Sequence, residues 1–347
     1  MLAARLYGKK DLRVEDVATP SVEAGGILLK VRSASICGTD VRMYQNGRSG
    51  PGAESPLILG HEISGEVAAV GAGLRAYRQG MRVAVGPNIG CGVCDLCVSG
   101  NTHMCPAYVA LGIHIDGGFA QYVAIPAGFV QQGNVVEIAE GVSCDEASLA
   151  EPLSCVFNAF ERSRLRPGDT VLIFGAGPIG IMHAKLARLG GAAKVMVNDL
   201  DAARLEQCRR IVPSVIPLSG ENLRQQVMDL TAGRGVDVCI TACAAPAAQE
   251  AAIDLAAING RIIFFGGLPK DKSMVRIDGN KIHYRQLIVT GTTRASLAQY
   301  RRALELVAGG LISLRELISS TCTIDQCPQA LENAARAAGL KSVIHFD

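Results

Sequence analysis

Four cysteines, Cys91, Cys94, Cys97 and Cys105, fall in one glycine-rich stretch, GPNIGCGVCDLCVSGNTHMC, with the spacing C-x2-C-x2-C-x7-C. Thiolates this close in sequence can close a tetrahedral zinc site without ligands from elsewhere, so residues about 88–106 are predicted to form a metal-held lobe. Four sulfurs leave no open coordination position, which makes this a structural zinc. Asp95 and His103, inside the same stretch, are read as bystanders.

The chain of 347 residues has room for roughly two domains of about 150 residues each. Hydrophobic residues make up 49% and charged residues 19%, enough apolar material for two cores. With a net charge of +2, no strong field favours nucleic acid or an anionic membrane. The first residues, MLAARLYGKKDLRVEDV, are charged by residue 5, and no run of about 18 apolar residues occurs. There are twelve cysteines, eight outside the lobe and scattered. Clustered cysteines in such a chain point to metal rather than disulfides, and the expected location is a reducing cytoplasm.

To about residue 150, short β-rich runs are separated by glycine turns: ILLKVRSASI (27–36), ISGEVAAVG (63–71), MRVAVGP (81–87) and DGGFAQYVAIP (116–126). From about 152, helical and strand patterns alternate, which predicts a parallel sheet. After residue 293, two amphipathic helices and a final strand are expected, returning to pack on the first domain.

Within the alternating region, TVLIF is followed by GAGPIG, which places Gly175, Gly177 and Gly180 in G-x-G-x-x-G spacing with Pro178 and Ile179 between them. The strand before and the helix after supply the context that a dinucleotide loop needs. Gly175 serves the turn, Gly177 the approach of a pyrophosphate, and Gly180 the helix–strand packing. The helix N-terminus offers its N–H groups to the phosphates. Nineteen residues after Gly180, Asp199 is positioned to accept from ribose hydroxyls and to repel a 2′-phosphate, so NAD is expected over NADP. Arg204, five residues further on, could soften that preference.

A second ligand set is spread along the chain: Cys37 in ICGTD, His61 and Glu62 in LGHEISGEV, and Glu151 in AEPLSC. Cysteine, histidine and a carboxylate suit a catalytic zinc with one open position, where an alcohol oxygen can bind and lose its proton more readily.

Taken together, CGTD, LGHE, the four-cysteine lobe, DGGFAQY, EPLS and GAGPIG resemble, in order and over essentially the whole chain, the zinc-dependent medium-chain dehydrogenase superfamily. The resemblance implies an α/β protein with a GroES-like, mostly-β catalytic domain (1–151 and 293–347) and a doubly wound parallel-sheet Rossmann domain (152–292). It also implies two zincs per chain, NAD, and oxidation of an alcohol. EPLS and GAGPIG are most similar to sorbitol or L-iditol dehydrogenases, and CGTD also resembles threonine 3-dehydrogenase.

Cys37 and His61 are implied as catalytic ligands, with Glu62 or Glu151 as the carboxylate. Thr39 is implied as the first step of a proton relay; Arg42 and Met43 stand where relatives have a histidine and an aromatic. An arginine is no base at neutral pH, so water or Glu151 would carry the proton on. Arg294 in GTTRAS matches an arginine that polyol dehydrogenases use for substrate hydroxyls; Glu151 is expected to read neighbouring hydroxyls, and His114 in GIHIDGG to line the substrate cleft.

The expected substrate is a polyol or sugar-like secondary alcohol; L-threonine, a sugar phosphate and an aminocyclitol are alternatives. A reading of another class is a non-catalytic, zinc-stabilised nucleotide-binding protein. Neither nucleic acid nor membrane is expected as a partner. A homodimer or homotetramer is implied, with GRIIFFGGLP (260–269) as an edge for sheet-to-sheet pairing.

Overall fold

The computed structural model describes residues 1–48, 52–220 and 222–346. The chain divides into two compact units, Met1–Ser154 with Ala295–Asp347, and Cys155–Arg294.

The first unit is the GroES-like one. Its largest sheet has seven strands, six of them in the order Val135–Glu137, Arg82–Val85, Glu62–Val70, Ile27–Ser35, Lys341–His345 and Ile318–Thr323. The seventh, Tyr122–Ile125, pairs with the first half of Ile27–Ser35. In ILLKVRSAS, Ile27, Leu29 and Val31 are buried at the two-residue period of a strand with one covered face. Its last three residues, Ser33, Ala34 and Ser35, are all buried, so both faces are covered where the strand runs into Cys37. A short ladder, Asn88–Ile89 against Val109–Ala110, closes the neck of the cysteine lobe.

The C-terminal segment departs from the expected two helices and one strand. A further strand, Ile318–Thr323, pairs in parallel with Lys341–His345. Its sequence, ISSTCT, has no apolar run, and as an edge strand it is only partly buried. It therefore lacks the hydrophobic signal by which strands are recognised.

The second unit is a six-stranded, wholly parallel sheet ordered Val215–Leu218, Lys194–Asn198, Thr170–Phe174, Val236–Thr241, Ala256–Phe264 and Ile288–Gly291. In chain order this is 3-2-1-4-5-6, the Rossmann arrangement. All five residues of TVLIF are buried, as a central parallel strand requires. The run GRIIFFGGLP is not the sheet edge expected from the pairing that the resemblance implies. Ala256–Phe264 pairs on both sides, and Ile262 and Ile263 are fully buried. Its long apolar run is the mark of an inner strand; the open sides are Val215–Leu218 and Ile288–Gly291. No described helix is long and apolar enough to cross a membrane.

Candidate active site

Sheet register brings the dispersed ligands together. Ile27–Ser35 and Glu62–Val70 are antiparallel, with Ser35 opposite Glu62. Cys37 and His61 therefore lie just beyond the paired ends, and ligand atoms of Cys37, His61 and Glu62 lie within 4.8 Å of one another. Cys37 is the N-cap of the helix Gly38–Asn46, and its backbone N–H donates to Asp40 Oδ2 at 2.9 Å. The other oxygen, Asp40 Oδ1, lies 3.3 Å from His61 Nδ1, close but not aligned as a hydrogen bond. One buried carboxylate thus braces two ligands, as outer-shell carboxylates do in metal sites.

Glu62 is fully buried and has its own partners: Lys341 Nζ donates to Oε2 at 2.5 Å, and Ser35 Oγ donates to the same oxygen. Lys341 Nζ also donates to the Ile36 carbonyl at 2.7 Å. Burial lowers the pKa of Lys341, but Glu62 and Cys37 outweigh it and keep the ammonium charged. Burial likewise lowers that of His61, while Asp40 and Cys37 together hold it well above the ordinary histidine value.

A divalent cation fits this cluster. Once His61 gives up its proton to act as a ligand, Asp40, Glu62 and a Cys37 thiolate carry three negative charges against the single positive charge of Lys341. That balance of two negative charges in a buried place is costly unless paired. Zinc, in the place of the His61 proton, would cancel it, and would also give a partner to the buried Glu62 Oε1, which has no hydrogen bond. Asp40→Asn keeps the size of the side chain but removes its charge and one acceptor. It is expected to weaken zinc binding at this site by about 10–100-fold, the usual cost of an outer-shell change. Competition with a chelator checks this, and unchanged affinity would contradict the bracing role.

The other expected residues, Glu151 included, are not among the gathered ligand atoms. Glu151 is also buried. It lines a small polar cavity with Asn134, Ser154, Ser296 and Tyr300. Its volume of about 10 Å³ suits a single water. Burial, and then the charge of Glu151, push the Tyr300 phenol upward in pKa. Thr39 Oγ1 accepts from Arg42 Nη2 at 2.9 Å. His114 Nδ1 accepts from the Ala110 amide at 3.1 Å, and its ring stands edge-on to Tyr108, so it braces its own turn. Arg294 sits in the second unit with a left-handed backbone, φ 56°. Asp40, Lys341 and Ser35 were not singled out from the sequence. Asp40 had a signal, the capping spacing Cys37-x-x-Asp40; Lys341, 279 residues from Glu62, had none.

The four lobe sulfurs also lie within 4.8 Å of one another. Cys94 Sγ and Cys105 Sγ are 3.8 Å apart, about the edge of a tetrahedron with zinc–sulfur bonds of ~2.3 Å. The Val93 and Cys94 amides donate to Cys91 and lower its pKa to about 6, and burial pushes Cys97 up to about 12. None of the twelve cysteines forms a disulfide.

At the glycine loop, a Cβ on Gly180 would lie 1.8 Å from the Gly175 carbonyl, so close helix–strand approach demands glycine there. Gly177 differs. Its φ of −73° suits any residue, and a Cβ would meet nothing nearer than 3.8 Å, at Arg204 Nη1. No packing within the chain requires glycine at 177, and the space suits an approaching pyrophosphate. Asp199 accepts from the Ala176 amide at 2.7 Å and the Asp201 amide at 2.9 Å, so its carboxylate is fixed beside the loop.

The family "Alcohol dehydrogenase GroES-like domain" matches residues 23–137, and "Zinc-binding dehydrogenase" matches 178–309. The chain is 32% identical over 337 residues to a sorbitol dehydrogenase of Bacillus subtilis (strain 168), covering 96% of this chain and 93% of that protein. It is also 32% identical to an L-threonine 3-dehydrogenase of Enterobacter sp. (strain 638), over 99% of each. A zinc-binding dehydrogenase from Sinorhizobium meliloti 1021, solved bound to NADP, superposes with a TM-score of 0.90 at 30% identity over 99% of each chain. An Escherichia coli CFT073 alcohol dehydrogenase complexed with NADH gives 0.89 at 26%, over 100% of this chain and 99% of that one. The chain therefore belongs to the zinc-dependent alcohol dehydrogenase family, in its sorbitol and threonine dehydrogenase branch, and is an oxidoreductase that uses zinc and a nicotinamide cofactor.

Proposed function

We propose that this enzyme oxidises a secondary alcohol of a polyol or sugar-like substrate to a ketone with NAD, using one catalytic and one structural zinc per chain. The observation that carries the reading is the buried Cys37–His61–Glu62 cluster, whose charge balance and outer partners suit a divalent cation. When bound, zinc supplies Lewis-acid stabilisation of a deprotonated alcohol, and the nicotinamide accepts the hydride.

The chain's own residues do the rest. Cys37, His61 and Glu62 hold the metal, Asp40 fixes the first two, and Lys341 pairs with Glu62. Thr39 takes the hydroxyl proton from substrate while passing on its own. Its oxygen accepts from Arg42, which directs the Thr39 proton away from that guanidinium. Arg42 is exposed and cannot accept a proton, so the relay ends in solvent water. Glu151, through the water its cavity suits, and Arg294 read neighbouring substrate hydroxyls, and His114 shapes its loop. Arg204, beside Gly177, faces coenzyme phosphate. The lobe thiols must stay reduced to hold zinc, which suits the cytoplasm. The open strand Ile288–Gly291 is the surface for pairing two copies.

Asp199 carries the preference for NAD, because its charge opposes a 2′-phosphate. Asp199→Asn is expected to reduce the NAD/NADP ratio of kcat/KM by about tenfold, a change of about 1.4 kcal/mol. An unchanged ratio would remove Asp199 from that role.

A panel tests the function: NADH formation from sorbitol, xylitol, L-iditol, inositols, galactitol 1-phosphate, L-threonine and simple secondary alcohols. Highest kcat/KM on a polyol supports the proposal. Highest kcat/KM on L-threonine would replace it with the second reading, which the equal identity to a threonine dehydrogenase favours.

A further inference from the structure

The segment Thr292–Arg294 follows the edge strand Ile288–Gly291 and ends the second unit. At Arg294 the backbone has φ 56°, the left-handed region that strains a residue with a Cβ and persists only where the surroundings impose it. Asn158 supplies the imposing contact. Its side chain is 2% exposed on the helix Ala150–Ser163, and its Nδ2 donates to the Arg294 carbonyl at 2.9 Å and to the Thr293 carbonyl at 3.5 Å.

The orientation of this amide is determined. Arg162, one helical turn on, donates from Nε to Asn158 Oδ1 at 3.2 Å, and a guanidinium can only donate. The oxygen must therefore face Arg162 and the NH₂ must face the loop. Upstream, the Thr292 amide donates to the Phe264 carbonyl at 3.2 Å, anchoring the start of the same segment to the sheet.

We infer that Asn158 is a specificity-determining positioning residue: by holding the Arg294 carbonyl it keeps Arg294 in its left-handed conformation, and so sets where the guanidinium meets substrate hydroxyls. This rests on the proposed reading of Arg294 as a substrate contact. Asn158 itself touches no substrate; it acts through Arg294.

A double-mutant cycle in the zinc-loaded, full-length enzyme, with NAD and sorbitol, tests it. Asn158→Asp is isosteric and keeps an acceptor for Arg162, but it loses the donor to the loop. Asn158→Ala removes both contacts. Each is expected to raise KM for sorbitol about tenfold with little change in kcat, the signature of lost uniform binding. A purely structural defect would instead lower apparent kcat by reducing the fraction of active enzyme, with KM unmoved. Arg294→Ala should raise KM at least as much, and adding Asn158→Asp to it should change KM no further.

Multiplicative effects in the double variant, or an unmoved KM in both Asn158 variants while Arg294→Ala raises it, would overturn the inference and leave the reading of Arg294 standing. An unmoved KM in Arg294→Ala would overturn that reading, and the inference with it. Absence of wild-type turnover on sorbitol, xylitol and L-iditol would overturn the polyol proposal, and the inference with it.

Discussion

Replacing Cys37 with serine is expected to lower kcat/KM by roughly three orders of magnitude or more, since a Lewis acid contributes several kcal/mol and each 1.4 kcal/mol is about a factor of ten. The thiolate is one of three gathered ligand groups, and it is the soft donor that favours zinc. The variant should still bind NADH, because the glycine loop lies in the other compact unit, at Gly175–Gly180. Coenzyme titration alongside zinc analysis separates the two outcomes. Loss of turnover with one zinc remaining and coenzyme binding intact is the expected result. Near-wild-type turnover would remove the catalytic centre from Cys37.

Cys94→Ser is expected to act on stability before chemistry. Cys94 and Cys105 approach to 3.8 Å in a lobe with little else to hold it. Val93 and Val98 are 83% and 76% exposed, so the lobe buries little apolar surface of its own. A zinc bound there would supply folding free energy in place of a core. Loss of the site should lower the thermal midpoint by on the order of 10 °C, as a few kcal/mol would in a unit of this size. The variant should keep the catalytic zinc and lose the lobe zinc. A variant with two zincs and an unchanged midpoint would contradict the structural role.

Features confined to one stretch of chain were legible in the sequence. The lobe needs only its own cysteines, and the coenzyme loop needs only a strand, six residues and a helix. Cys37, His61 and Glu62 were visible as strings, yet their meeting depends on the register that sets Ser35 opposite Glu62. The partner of Glu62 was beyond reach. Lys341 arrives because Lys341–His345 pairs with Ile27–Ser35, a long-range contact with no local signature.

Apolar runs also misled where burial on two sides and exposure at an edge look alike. GRIIFFGGLP was expected as the edge for the sheet-to-sheet pairing that the resemblance implies and proved to be an inner strand. ISSTCT, the true edge of the other sheet, carries too little hydrophobicity to register as a strand. Glu151 was grouped with the ligands on its motif, but its buried carboxylate stands with Tyr300 at a water-sized cavity instead.

Zinc content per chain, measured by elemental analysis on wild type and on Cys37→Ser in parallel with NADH formation, tests the central claim most directly. Two zincs in the wild type, one in the variant, and activity lost with the second zinc are the results this account predicts. A wild type that forms NADH from alcohol with only the lobe zinc bound would contradict it.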